Sequence, residues 1–483
     1  MKNKLIVILL LLSTSIGARE LSWEWWPTGL RDSVSAGDDS LQYLVGVSAL
    51  ASSGSYAPFW LTSNTNGDIS SSPFSGNLTA GIYKEAVHHE RWWDYDFGVQ
   101  LTGRAQYPAS GTGYFNQLYA HVRLFIFDIT AGIKPMIYET QDTALTMGSL
   151  IFSGNSQPLP HITIGIDRYV PFPGCYGYFE IKGGLTHAWM ADNTYLRGSY
   201  IHHKFAAVRF GGKLPVNISY EFHHAAQWGG IHPVYGDVGS DFESFVNVFM
   251  ARGGGVARSD QLNAQGNHVG SQQLMLTGKG KGWEVSAYWQ NFFEDNFAFI
   301  GTGKNLADGL WGISMKQNRW PFIQGVTYEF LNTTDQSGPW HDRDGLCYAG
   351  QDDYYRNSIF RNGWNYFYRS MGTPFITSPL YNTDGTIYTL NSRVRVHHIG
   401  VRGDIYGFMY RIKASYARNY GNNNTSRDIL STNTAVLLEV TKHVPQAWGL
   451  DFGLRLGADF GTQWGNQFGA QITICKRGIV HKW

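Results

Sequence analysis

The residues best equipped for chemistry gather between Asn332 and Thr389, a polar and aromatic stretch that no turn requires. Trp340, His341 and Asp342 stand together in "QSGPWHDRDG", and Asp352, Asp353, Tyr354 and Tyr355 follow in "QDDYY". Flat aromatic rings suit the apolar face of a sugar, while Asp, Asn, His and Arg bond the hydroxyls around its edge. That mixture points to polysaccharide recognition. Loops longer than about 15 residues are usually functional or disordered, and Trp340, Tyr348, Tyr354, Tyr355, Phe360, Trp364, Tyr366, Phe367 and Tyr368 are too many aromatics for a solvated tail. Each ring therefore has two readings, a sugar contact or a member of the loop's own small core; Trp340 and Tyr355 as a pair favour the first. His223, His224 and Trp228, in "HHAAQWGG", open a second long loop and rank next as sugar contacts.

Other chemistries fare worse. His341 beside Asp342 is the nearest thing to an acid–base pair, but there is no GxSxG elbow, no HExxH and no distinctive nucleophile sequence, so a non-enzyme is expected. Four His-His pairs, His88-His89, His202-His203, His223-His224 and His397-His398, suggest metal. Neighbours on a strand point to opposite faces, so each pair can offer only one ring to a common site, and no metal site is expected. Cys175, Cys347 and Cys475 allow at most one disulfide and make no CxxC-type site. No cofactor is expected. With 38 basic and 37 acidic residues the net charge is +1, which argues against a nucleic-acid partner.

Strands must position these residues. Aromatics are 15% of the chain, glycines number 57, charged residues are 16%, and no segment after the amino terminus is long and apolar enough for a transmembrane helix. That is the composition of a membrane β-barrel, with a soluble sandwich array as the alternative. Periodicity separates them. Leu450, Phe452, Leu454, Leu456, Ala458 and Phe460 alternate with Asp451, Gly453, Arg455, Gly457 and Asp459. Tyr406, Phe408, Tyr410, Ile412, Ala414 and Tyr416 alternate with Arg411, Lys413 and Ser415, and Trp283, Val285, Ala287 and Trp289 with Glu284, Ser286 and Tyr288. Runs of about ten residues suit a tilted strand crossing a bilayer. Lumen charges of both signs predict bracing ion pairs.

Connections alternate short and long. Tight turns fall at 211–215, 278–282, 317–321, Gly403 to Asp404 and 443–447, and loops at 223–269, 292–307, 332–389, 419–432 and 461–466. The count extends to about eighteen strands, an even number that puts both termini in the periplasm. Lys2 and Lys4 before the apolar run Leu5 to Leu12, with small residues to Gly17 and Ala18, read as a signal peptide over 1–18. Residues 19–40 then form a periplasmic segment and 41–483 the barrel. Phe468 to Ile474 is the last good strand, with the tail after Lys476 extending beyond the membrane.

Eight stretches together resemble the Wzi-type capsule assembly proteins, in the form seen in Bacteroidetes-like bacteria. They are "APFWLTSNTNG" (57–67), "GSLIFSGNSQPLPHITIG" (148–165), "HKFAAVRFGG" (203–212), "HHAAQWGG" (223–230), "DGLWG" (308–312), "TTDQSGPWHD" (333–342), "FRNGWNYFYRSMGTPF" (360–375) and "YARNYG" (416–421). The resemblance implies a monomeric barrel in the bacterial outer membrane, in contact with lipid, that attaches capsular or other surface polysaccharide as a lectin. It also implies a helical plug on the periplasmic side. No long segment here has 3.6-residue apolar spacing, so any plug must be built from short helices. A diffusion channel for small solutes is the competing function, since barrels of about 16 to 18 strands can hold an aqueous channel.

Overall fold

The computed structural model describes residues 39–87, 91–109, 111–138, 142–294, 305–336, 341–343, 346–348, 352–423 and 428–483, without the side chains of 341–343 and 346–348. The expected signal peptide, residues 19–38 of the expected periplasmic segment, and the pair His88-His89 lie outside these residues; Ser40 already belongs to the first strand. Eighteen strands form one antiparallel sheet. They are β1 (Ser40–Ser52), β2 (Phe74–Lys84), β3 (Trp93–Tyr107), β4 (Thr112–Leu124), β5 (Phe127–Ile133) and β6 (Pro160–Pro171). Next come β7 (Phe179–Trp189), β8 (Tyr200–Phe210), β9 (Val216–Trp228), β10 (Asn267–Gly280), β11 (Trp283–Glu294) and β12 (Gly309–Gln317). The series ends with β13 (Gly325–Asn332), β14 (Arg393–Ile405), β15 (Phe408–Gly421), β16 (Ser431–Val444), β17 (Leu450–Gly461) and β18 (Gln467–Lys482). Each strand pairs with its sequence neighbours, and β18 pairs with β1, which closes the sheet.

Alternation fixes which face meets what. On β17, Leu454 and Leu456 are about 40% exposed on the outer face while Asp451, Arg455 and Asp459 are buried inside. On β15, Phe408, Ile412 and Tyr416 face out, and Arg411, Lys413 and Ser415 face in. No helix among the described residues is long and apolar enough to cross a membrane; the strands cross it. A closed ladder satisfies every backbone group internally, which a hydrocarbon layer demands. The molecule is a bacterial outer-membrane barrel.

Three expectations about the strands need correction. The tight turn between β14 and β15 is Tyr406-Gly407, not Gly403-Asp404. Both turn residues are left-handed (φ 54° and 73°), the geometry of a two-residue hairpin whose twist matches its strands, so Tyr406 leaves the outer-face series. His223 and His224 lie within β9, which runs on to Trp228 before the loop begins. The last strand does not end at Ile474 but continues through the tail, with Ser40 opposite Lys482, because β1 needs backbone partners along its whole length whatever side chains the last strand carries. Arg477 meets Asp451 at 3.1 Å.

The lumen is largely filled, with a cavity of about 270 Å³ left beside Tyr138, Lys182, Arg209, Glu221 and Thr277. Two long connections on the side away from the termini fold inward. Connection 53–73 carries a single helical turn, α1 (Phe59–Thr62). Its Trp60 donates to Ser415 Oγ at 3.0 Å, and Phe59 N–H donates to Asp459 at 2.9 Å. Gly457 and Gly469 make room for it: a Cβ there would stand 2.7 Å from Leu61 Cγ and 2.6 Å from Pro58 Cδ. Connection 134–159 descends further. Asp142 pairs with Arg402 at 3.0 Å, Arg411 donates to the Ala144 carbonyl at 3.1 Å, and Lys413 donates to that of Thr146 at 2.9 Å. Glu329 accepts from Thr146 Oγ1, Met147 N–H and Tyr288 OH at 2.6–2.7 Å. Wall charges thus clamp the plug as well as each other, and Glu439 bridges Arg411 and Arg455 at 2.6 and 3.0 Å. Apart from the single turn of α1 the plug is irregular, and it descends from outer connections, not from the periplasmic side. Irregular backbone is tolerated at this depth because polar wall residues meet its carbonyls and amides.

Candidate functional site

Connection 333–392 covers the largely filled lumen and joins its core. Tyr354 and Tyr355 are completely buried. Tyr354 donates to Asp308 at 3.0 Å, Tyr355 OH donates to the Leu150 carbonyl, and Trp364 Nε1 donates to that of Ile151 at 2.9 Å. Phe292 packs edge-on against both tyrosines, 4.5 and 5.7 Å between centroids. Burial pushes the Asp308 carboxyl up to about 7, against the donors Asp335 N–H, Gln336 N–H and Tyr354 OH.

The residues singled out from sequence are consequently dispersed. Trp340 lies outside the described residues. His341 and Asp342 sit on a small hairpin, His341–Arg343 paired with Leu346–Tyr348. Asp352 accepts from Asn305 at 3.3 Å, while Asp353 accepts from Ser392 at 3.2 Å and pairs with Arg356. Tyr354 and Tyr355 present no open ring face, since wall residue Phe292, Asp308 just before β12 and plug residue Leu150, all distant in sequence, pack against them. His223 points into the lumen, stacked on His203 with Nε2 of His203 and Nδ1 of His223 3.0 Å apart, and its own Nε2 lies 3.1 Å from Glu221. His224 points outward and lies 3.0 Å from His268. Trp228 is buried against Tyr200 and Phe245. The pair His223-His224 thus splits across the wall, as strand geometry requires, and among the described residues no group of three or more His, Cys, Asp or Glu could hold a metal.

A partly exposed aromatic cluster does exist at the outer mouth. Tyr56 precedes α1, Tyr381 ends a short 3-10 turn begun by Pro379, and Trp464 occupies the β17–β18 turn. Their centroids lie 5.1 Å (Tyr56–Tyr381), 4.6 Å (Tyr381–Trp464) and 6.4 Å (Tyr56–Trp464) apart. All three are half-buried. Beside them four side chains form a closed ring of hydrogen bonds. Asn391 donates to Thr377 Oγ1 at 3.0 Å and to Asn419 at 2.9 Å; Asn419 donates to Gln463 at 2.9 Å, and Gln463 donates back to Thr377 Oγ1 at 3.2 Å. Thr377 and Asn419 are buried and brace the ring, while Asn391 and Gln463 are half-buried; half-buried aromatic rings beside two such amides can hold a sugar by stacking and by its hydroxyls. None of the seven side chains is charged, and none is a nucleophile with a base beside it.

A second feature lies close by. Phe367 and Tyr368 form the tip of the hairpin joining Asn365–Tyr366 to Arg369–Ser370. Both are left-handed, φ 48° and 61°, and both are about 45% exposed. Bulky residues there cost about 1–3 kcal/mol each, and such strain persists where its surroundings over-determine it. The surroundings here are Phe367 N–H donating to Asp192 at 2.9 Å, Leu380 N–H donating to the Tyr368 carbonyl at 3.0 Å, and buried Arg369 donating to the Ile69 carbonyl at 2.8 Å. Sequence reading passed over Tyr56, Tyr381 and Trp464 because they come from three connections; a lone Trp between Gly461 and Gly465 in a short outer turn was the available signal.

No protein-family model matches the chain, and no curated protein matches it. Among solved structures it is similar to Wzi of Escherichia coli, described as an outer-membrane protein involved in group 1 capsule assembly and a carbohydrate-binding β-barrel. That match has 14% identity and a TM-score of 0.56, and covers 91% of this chain and 84% of that one. OprD of Pseudomonas aeruginosa matches at 10% identity and a TM-score of 0.44, covering 92% and 95%. OpdL of the same organism matches at 7% and 0.46, covering 92% and 99%.

Proposed function

We propose that this outer-membrane barrel binds surface polysaccharide, capsular polysaccharide in the first instance, and helps attach it to the cell as a lectin without catalysing a reaction. The observation that carries the reading is the uncharged aromatic patch of Tyr56, Tyr381 and Trp464, edged by the Thr377–Asn391–Asn419–Gln463 ring, over a lumen closed by its own connections. The eight motifs resembling capsule assembly proteins support it, as does the fold likeness to a barrel described as carbohydrate-binding. The partner is then a glycan on the outer side, and a monomer suffices because the patch is complete within one chain.

Two measurements test this. A deletion strain should shed capsule into the medium that the parent retains, and Trp464→Ala with Tyr381→Ala should reproduce the shedding while the barrel still reaches the outer membrane. The purified protein should be electrically closed in planar bilayers. Steady single-channel conductance with normal capsule retention would replace the lectin reading with that of a diffusion channel.

A further inference from the structure

Connection 229–266 does more than bridge β9 and β10. Its helix α2 (Phe242–Phe249) is capped by Asp241, which accepts from Ser244 N–H at 2.7 Å. The helix lies against the outside of the barrel wall. Phe245 and Phe249 stand 5.6 and 5.1 Å from His202, and Phe245 is 5.7 Å from Trp228. Lys204 donates to the Phe249 carbonyl and sits 4.2 Å from its ring centroid. Val248 is fully buried with Ala226 and Trp228.

Those wall positions point toward lipid. Along β8 the outward series is Phe210, Val208, Ala206, Lys204, His202 and Tyr200; His224 and His268 continue it on β9 and β10. An apolar belt about 25 Å tall takes roughly ten residues of a tilted strand, and β8 has 11. Counted upward from Phe210, the belt reaches Lys204 and His202. Acyl chains would there meet an ammonium group and imidazoles, and connection 229–266 takes their place, α2 over His202 and the Gln265 carbonyl 2.8 Å from His268: His202 and His268 are 2% exposed and His224 4%.

The other side of the segment carries four large apolar side chains in the open. Phe242 is 79% exposed, Leu262 73%, Met250 51% and Val256 51%. Arg252, Arg258 and, beside Phe242, Glu243 are exposed among them, two basic groups against one acidic, while the Asp241 carboxylate is held at the helix cap and Asp260 Oδ2 accepts from Gly266 N–H at 3.3 Å. We propose that residues 242–262 form an interfacial element on the outer wall, with Phe242, Met250, Val256 and Leu262 in the acyl region of the outer leaflet and Arg252 and Arg258 at its phosphates. The occupant is lipid because this face continues the lipid-facing surface of Val208, Phe210, Val216 and Ile218 at the same wall. The inference is independent of the glycan reading.

The test uses the full chain in vesicles of lipopolysaccharide and phospholipid. With Cys175, Cys347 and Cys475 replaced by serine, Phe242→Cys, Leu262→Cys and, as control, Asp384→Cys each carry an environment-sensitive fluorophore. Probes at 242 and 262 should be quenched by spin-labelled acyl chains and be severalfold less open to iodide than the probe at 384. In the unmodified chain, photoactivatable acyl chains should crosslink within 242–262. Iodide access equal to that at 384 overturns the proposal, as does protection from both quenchers, the signature of a protein partner; absence of crosslinks in the unmodified chain counts equally against it.

Discussion

Arg455→Leu asks whether the plug is held separately from the wall. Arg455 is 3% exposed, and its guanidinium reaches the Trp60 and Leu61 carbonyls at 3.1 and 3.0 Å, Gln471 at 2.9 Å and Glu439 at 3.0 Å. Leucine removes that donor from both α1 carbonyls and one of the two guanidinium groups from Glu439. Hydrogen bonds from a charged group contribute about 1.5–3 kcal/mol each, and removing one partner of a buried ion pair costs about 3–5 kcal/mol. These terms overlap, so the expected loss is about 3–5 kcal/mol. It should fall on connection 53–73, because no ladder bond of β17 passes through the side chain. The variant should keep its heat-dependent shift on gels yet show transient conductance in planar bilayers that the parent lacks, with Arg455→Lys between them. A closed channel with unchanged melting would refute the clamp. Failure to assemble would refute the idea that plug and wall are energetically separable.

Four further outcomes are expected. Leu454→Arg, on the lipid face, should cost about 2–4 kcal/mol near mid-membrane, measured by reversible unfolding into vesicles; periodicity alone makes Arg455→Leu the milder change, and the plug contacts bring the two level. Trp464→Ala with Tyr381→Ala should weaken glycan binding by at least about tenfold, each stacked ring contributing roughly 1 kcal/mol or more, with unchanged melting. Replacing Phe367-Tyr368 by Asn-Gly should stabilise connection 333–392 by about 1–3 kcal/mol through relief of left-handed strain, read by slower proteolysis. Asp308 titrates at about 7 when folded against 3.8 as its ordinary value, so the folded cap binds the extra proton and its stability falls as pH rises from about 4 to 7. Proteolysis within 333–392 should therefore be faster at about pH 8 than at about pH 5, and Asp308→Asn should flatten that dependence.

The wall was legible because period two is a local property. Leu454 and Arg455 declare their faces from their immediate neighbours, and strands about ten residues long between alternately short and long connections define the barrel. The interior was not legible, for a reason also visible in particular residues. Tyr355 bonds Leu150, Trp364 bonds Ile151 and Trp60 bonds Ser415, contacts across hundreds of positions that no window of sequence contains. An aromatic-rich outer loop reads the same whether its rings face a glycan or a plug. The eye falls on the densest run, Asp352 to Tyr355, whereas burial selects against it: a ring that anchors the cap has no face left for a ligand.

Closure of the lumen and formation of the patch are two consequences of one arrangement. Tyr381 belongs to the connection whose Tyr355 and Trp364 anchor the plug, Tyr56 closely precedes α1, and Thr62 Oγ1 lies 3.4 Å from Tyr381 OH. The rings that remain half-open are thus mounted on residues that are fully buried. Loops usually lose affinity to the entropy of ordering on binding, and pre-organisation removes that cost. A diffusion channel gains nothing from such mounting, since every residue that stiffens the patch also blocks the path beneath it. Under the proposed glycan-binding function both features serve: a site rigid before a polymer arrives binds it at lower entropic cost, and the plug beneath keeps the barrel sealed.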